Sequence, residues 1–292
     1  MTDTFSTIAL LGSGLLGGSL ALALRNLPNP PRVRLWARRE DTAAAARSRG
    51  IAEATHDLAN AVDGADLAIL CVPVGAMPGL LEAAVAAGLP ADCLVTDVGS
   101  VKQVLHQTLP PVLAGSGQPF IGSHPMAGSE QTGIAAASAG LFAGAACLLT
   151  NDERATPDLA DRLARFWQAL GCETSWMGAA EHDSLVARIS HLPHLLAASA
   201  ARVCLDDPGL GRFGGGGLRD TTRVASGNPE MWAEILTENH QAIIGPLRES
   251  IADLTKFLAF LEAADHERVR EWLSAAKDRR DHLAPSAPTT FD

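Results

Sequence analysis

The segment "TIALLGSGLLGGSLALALRNL", close to the N-terminus, restricts the fold more than any other. Gly12, Gly14 and Gly17 stand in G-x-G-x-x-G spacing between a short apolar run that reads as a strand and a longer one with helical periodicity. Passing from strand to helix through such a turn opens a β-α-β unit, and repeating that unit gives a parallel sheet covered by helices. The glycines allow a tight turn, and the backbone from Gly12 through Ser13, Gly14, Leu15 and Leu16 to Gly17 offers free N–H groups at a helix N-terminus, which suits a pyrophosphate.

The alternation continues through "RVRLWA", "LAILCVP", "CLVTDVG", "PFIGSH" and "AACLLT", all strand-like. From Ala179 to about His282 the pattern becomes long amphipathic stretches with no convincing strand. The fold class expected is α/β: a Rossmann-type dinucleotide-binding domain with a mainly parallel sheet over residues 1–177, then an all-α domain over 178–292 with a loose, proline-rich tail. Asn228 should cap a helix that begins with Pro229, and Gly245-Pro246 should kink the long helix it opens. Gly214 to Gly217 read as a very flexible loop.

A formal charge of -10 with no long basic run speaks against a nucleic-acid surface. No stretch reaches the ~18 uncharged apolar residues of a membrane span, and no basic region precedes the first apolar run, so neither a membrane segment nor an export signal is expected and a cytoplasmic location follows. The cysteines Cys71, Cys93, Cys147, Cys172 and Cys204 are far apart and form no CxxC pair. They read mainly as small buried hydrophobes, and no metal set is expected.

The second strand ends in Ala37, Arg38 and Arg39, where an NAD site usually carries an acid for the ribose 2'-hydroxyl. Two guanidiniums suit a 2'-phosphate, so the cofactor expected is NADP. The alternative, NAD, requires the arginines to be solvated and Glu40 or Asp41 to reach the ribose.

Ligands in open α/β sheets sit beyond the carboxyl ends of the strands. Three segments end there: Cys71, Val72 and Pro73; Gly99 and Ser100 in "TDVGSVK"; and His124 in "IGSHPMAGSE". Gly99 permits close approach of a nicotinamide ring, Ser100 offers a hydroxyl, and His124, held extended by Pro125, is a proton acceptor at the same mouth. In the helical part, His191 and His194 share a helix face with Pro193 between them; no carboxylate or cysteine completes a metal set, so a hydrogen-bonding role for one of them is expected. Arg219 and Arg223, at i and i+4, suit a dicarboxylate, or else surface pairing with Asp220 or Glu230.

Taken together and in order, "GSGLLGGS", "DVGSVK", "GSHPMAGSE", "HDSLVARISHLPHLLA" and "GGGLRDTTRVASGNPEMWAEIL" resemble the prephenate/arogenate dehydrogenase family of tyrosine biosynthesis, from about Ile8 to about Asn239. The resemblance implies oxidative decarboxylation of a cyclohexadienyl acid, with hydride transfer to NAD(P)+. It also implies that His124 is the base for the ring hydroxyl, that Ser100 orients that hydroxyl and the nicotinamide, that Arg223 binds a substrate carboxylate and that His194 helps place the substrate. Glu130 and Trp232 match pocket positions. Arg219 stands where some relatives have a lysine from the neighbouring subunit. A homodimer through the helical domain is implied, with no fused chorismate mutase or ACT domain expected.

Two other readings keep the dinucleotide domain. One is a β-hydroxyacid dehydrogenase-like enzyme of another small carboxylate, which would need a lysine acid-base residue from among Lys102, Lys256 and Lys277. The other is a non-catalytic NADP-binding sensor, which would leave "SHPMAGSE" unexplained.

Overall fold

The computed structural model describes residues 5–128 and 131–283. Strands β1 (Thr7–Leu11), β2 (Arg32–Trp36), β3 (Ala54–Thr55), β4 (Leu67–Leu70) and β5 (Leu94–Asp97) form one parallel sheet in the order β3-β2-β1-β4-β5. The connections are α1 (Leu15–Arg25), α2 (Glu40–Ser48), α3 (Leu58–Val62) and α4 (Met77–Ala86), and α5 (Gln103–Leu113) follows β5. β1 shows why helices cover both faces: Ile8 and Leu10 pack into one apolar cluster with Leu20 and Leu24 of α1, whereas Ala9 and Leu11 pack into another with Leu81 of α4 and Leu105 of α5. The strand order reverses between β1 and β4, which opens the crevice where such sheets bind ligands.

A parallel bridge from Val95 to Phe120 ties the approach to β6 (Gly122–Pro125) onto β5. β6 then runs antiparallel to β7 (Ala146–Thr150), which pairs in parallel with β8 (Glu173–Trp176). Helix α6 (Pro157–Ala169) precedes β8 and packs Leu163, Phe166 and Trp167 into the first cluster.

The chain after β8 is helical: α7 (Ala179–Val186), α8 (Leu192–Cys204), α9 (Gly216–Thr222), α10 (Pro229–Glu238), α11 (His240–Glu262) and α12 (His266–Asp281). Asn228 caps α10 as expected, its side chain accepting from Glu230 and Met231 N–H with Pro229 in the first turn. Ile235 of α10 packs into the second cluster of the sheet domain. Helix α11, by contrast, leaves Ile251, Leu254, Leu258 and Leu261 between 52% and 55% exposed along one stripe.

Four local expectations are corrected. Gly216 and Gly217 are not part of a flexible loop but form the first turn of α9, where glycine is tolerated because those N–H groups need no intrahelical partner. Gly245 does not open α11; the helix starts at His240 and runs through Pro246, since Gly245 has no Cβ to clash with the proline ring. Strands β3 and β8 were not foreseen, because the first is two residues long and the second is a polar, mostly exposed edge. Cys204 is exposed, unlike the buried Cys93, Cys147 and Cys172.

Candidate active site

The glycine turn sits at the reversal of strand order. Gly12 has φ of 135°, a left-handed conformation that only glycine adopts without strain, and a methyl group there would run into the Cys71 carbonyl. A methyl on Gly17 would strike the Gly12 carbonyl, so α1 can approach the strand this closely only with glycine at that position. At Gly14 the same methyl would meet nothing within 4 Å, and the first turn of α1 has no side-chain cap. Open space before an uncapped, helix-initial cluster of N–H groups fits the pyrophosphate of a dinucleotide. Cys71, Val72 and Pro73 follow β4 on the other side of this crevice, with Cys71 N–H donating to the Leu11 carbonyl.

At the end of β2, Ala37 is buried while Arg38 and Arg39 are exposed. Both nearby acids are already engaged. Glu40 is paired with Arg47 and with His56, at 2.7 Å from the latter, and Asp41 accepts from the Thr42 backbone and hydroxyl and from Arg39. Arg38 has no ion-pair partner among the described residues.

Beyond β5, Asp97 organises the next loop. Fully buried, it accepts from Gly99 N–H at 2.7 Å and Ser123 N–H at 3.2 Å and forms an ion pair with the equally buried Lys102. This fastens the turn that carries Gly99 and Ser100 to β6, one residue before His124. Lys102 is thereby committed to Asp97, while Lys256 and Lys277 lie on exposed faces of α11 and α12, so none of the lysines stands as a free acid-base group in the crevice.

His124 is buried on β6 and is part of a chain that the sequence did not reveal. Its Nδ1 lies 2.8 Å from Nε2 of His182 on α7, and His182 Nδ1 lies 2.8 Å from Oδ1 of Asp183. The same carboxylate accepts from the backbone N–H of Lys102 at 2.7 Å and of Gln103 at 2.9 Å, thus capping α5 from the helical domain. Although burial raises the Asp183 carboxyl, hydrogen bonds from His182 and from these two N–H groups hold it below its ordinary value, so it is ionised. Burial lowers His182 in spite of Asp183, and burial, followed by the neighbouring His182 and Lys102, takes His124 well below the usual imidazole value. Both rings are therefore neutral at pH 7. An ionised carboxylate only accepts, so His182 carries its proton on Nδ1 and leaves Nε2 to accept from His124 Nδ1. His124 Nε2 is left with a bare lone pair, the atom able to take a proton.

His191 and His194 lie where the helix register changes. A π-helical turn spans Ala187–His191, immediately before α8. Pro193 has no N–H to donate to the preceding turn, which accounts for the local widening. Both histidines are buried; His194 stacks on Trp232 with ring centroids 3.6 Å apart and 7° between planes. Trp232 belongs to α10, whose Glu234 also bonds Gly75 N–H just after β4, so the wall of the helical domain is fixed to the sheet domain. Arg223 ends α9 and leads a short turn packed on α8; Arg219 is exposed on α9 with no ion pair among the described residues. Glu130 lies outside the described residues. Among those described, no cluster of metal-ligating side chains occurs, and no helix is long and apolar enough to cross a membrane.

Comparison with known proteins gives consistent matches. Residues 20–175 match the family model for the prephenate dehydrogenase nucleotide-binding domain, and residues 178–275 match that for the prephenate dehydrogenase dimerization domain. The chain is 34% identical over 288 residues to a prephenate dehydrogenase of Bacillus subtilis, covering 97% of this chain and 77% of that one. It is 34% identical over 283 residues to a cyclohexadienyl dehydrogenase of Zymomonas mobilis, covering 94% and 95% respectively. It superposes with a TM-score of 0.88, at 26% identity, on a crystal structure of Aquifex aeolicus prephenate dehydrogenase in complex with hydroxyphenyl propionate and NAD+, covering 97% of this chain and all of that one.

Proposed function

Because the chain belongs to the prephenate dehydrogenase family, we propose that it converts prephenate or L-arogenate to 4-hydroxyphenylpyruvate or L-tyrosine by oxidative decarboxylation. The observation that carries this is the lone pair of His124 Nε2, set by His182 and Asp183 at the mouth of a dinucleotide crevice.

A bound nicotinamide dinucleotide supplies the acceptor for the hydride that leaves the carbinol carbon. The turn from Gly12 to Gly17 would hold its pyrophosphate, and Cys71, Val72, Pro73 and Gly99 would help to bind it. His124 Nε2 accepts the proton of the ring hydroxyl as that hydride departs. The positive charge then arising on His124 is shared with His182 and stabilised by Asp183, so the proton need not be released into a dry pocket. Ser100, fastened to the strand of His124 through Asp97, orients the same hydroxyl. Loss of carbon dioxide makes the ring aromatic and supplies the driving force, which leaves the protein chiefly the tasks of alignment and proton acceptance. His194, braced by Trp232, places the substrate, Arg223 meets a carboxylate, and Arg219 completes the pocket; for Glu130 a pocket role rests on the family resemblance.

NADP is the preferred dinucleotide in this proposal. The engagement of Glu40 by Arg47 and His56, and of Asp41 by Thr42 and Arg39, supports it by keeping acids from the ribose and leaving Arg38 for a 2'-phosphate. The division between cofactor and substrate domains is placed at residues 177 and 178. Two copies associate through the helical domain, supported by the exposed apolar stripe of α11.

The test is a two-by-two assay of prephenate or arogenate with NAD or NADP, followed by absorbance of the reduced dinucleotide. Turnover with either substrate, faster with NADP, is expected. No turnover in any combination would refute the assigned reaction.

A further inference from the structure

His191 has a hydrogen-bond donor that no group of the described protein uses. Asn239 Nδ2 lies 2.9 Å from the Asp183 carbonyl oxygen and 3.1 Å from His191 Nδ1. A carbonyl oxygen only accepts, so the amide atom facing it is the nitrogen, and that nitrogen's second hydrogen points at His191 Nδ1. His191 Nδ1 is therefore an acceptor. Burial pushes the imidazole down to about 4, so the ring is neutral and its one proton resides on Nε2.

That Nε2 has no partner, although His191 is only 1% exposed. Buried donors are nearly always satisfied, and those that are not call for a reason. The Trp232 ring meets His191 edge to face with centroids 6.2 Å apart, a packing contact. His191 ends the π-helical turn, close enough to His182 and His194 that the charged form of either would act on it, and its own charge would act on His124. The unused donor is thus buried in the neighbourhood of the base and of the stacked His194–Trp232 pair.

We propose that His191 Nε2–H donates a hydrogen bond to an anionic oxygen of the bound cyclohexadienyl acid, making His191 a substrate-binding residue in addition to His194. This rests on the assignment of the reaction above. A neutral donor at this place attracts a carboxylate without adding a fixed positive charge that would compete with protonation of His124.

Two substitutions separate this role from a structural one. His191→Asn keeps an acceptor near the position of Nδ1 for Asn239 but lacks the outer donor; His191→Gln reaches about as far as Nε2 and restores it. The expected result is a rise in the substrate KM of roughly 10- to 100-fold in the Asn variant, with an unchanged KM for the dinucleotide, and recovery of most of that loss in the Gln variant. His191→Met, which keeps bulk without a polar end, replaces the Asn variant if the latter does not fold. Unchanged substrate KM in the donor-free variant overturns the proposal, as does a Gln variant no better than it. If the wild-type protein turns over neither prephenate nor arogenate, the reaction assignment fails first and takes this role with it; turnover by the wild type with no effect at His191 removes this role alone.

Discussion

His124 and His182 face each other at 2.8 Å between Nδ1 and Nε2, and the carboxylate behind His182 decides which nitrogen of each ring carries the proton. The arrangement joins two parts of the chain, since His124 is on β6 of the sheet domain and His182 on the first helix of the helical domain. Asp183 reinforces the junction by capping α5 while it orients His182. One carboxylate thus serves both the domain interface and the tautomer of the base.

Replacing Asp183 with Asn removes the charge and allows the wrong tautomer at His182. The kcat should fall by roughly 10- to 1,000-fold while the dinucleotide KM changes little, as expected when an orienting carboxylate is lost behind a catalytic histidine. Steady-state kinetics of the purified variant checks this. A kcat equal to that of the wild type would mean that the orientation of His182 has no bearing on the reaction.

The pH profile follows from the low affinity of His124 for protons. The base works only when neutral, and burial holds its pKa well below 6.5, so activity should be lost only as pH falls through that depressed value. On the acid side, kcat/KM should therefore stay level from pH 7.5 down through 6.5. An acid limb centred at or above 6.5 would show His124 to be an ordinary exposed imidazole.

Part of the fold and of this site was legible in the sequence, and what was not has physical causes. Gly12, Gly14 and Gly17, the helical second half and His124 could be read because they depend on local periodicity and on motif order. His182 and Asp183 could not be singled out by spacing: neighbours on a helix point in different directions, and only tertiary packing brings one against β6 and the other against α5. The Asp97–Lys102 ion pair was hidden for a related reason, since a loop lysine normally reads as solvated. His191 and His194 were seen as a pair, but Asn239, which fixes the tautomer of His191, lies 48 positions away along the chain. The flexible-loop reading failed at Gly216 and Gly217 because glycine content alone does not distinguish a loop from the first turn of a helix.

Cofactor choice should respond to the end of β2. Arg38→Ala combined with Arg39→Ala should lower kcat/KM with NADP by roughly 10- to 100-fold, the cost of charge-assisted hydrogen bonds to a phosphate, and leave the value with NAD nearly unchanged. An equal fall with both dinucleotides would place the arginines outside the ribose site.

The exposed stripe of α11 should behave as a subunit contact. Light scattering after size exclusion should give twice the 30.4 kDa of one chain for the wild type. Leu254→Asp with Leu258→Asp should shift the particle toward the mass of one chain, because buried unpaired carboxylates are costly. A monomeric wild type would remove the dimer from the account.

The most direct measurement is kcat of His124→Asn with the better of prephenate and arogenate and with saturating dinucleotide. An amide cannot take the hydroxyl proton, so kcat should drop by roughly two to four orders of magnitude while dinucleotide binding persists. A variant that turns over at nearly the wild-type rate would contradict the assignment of His124 as the base.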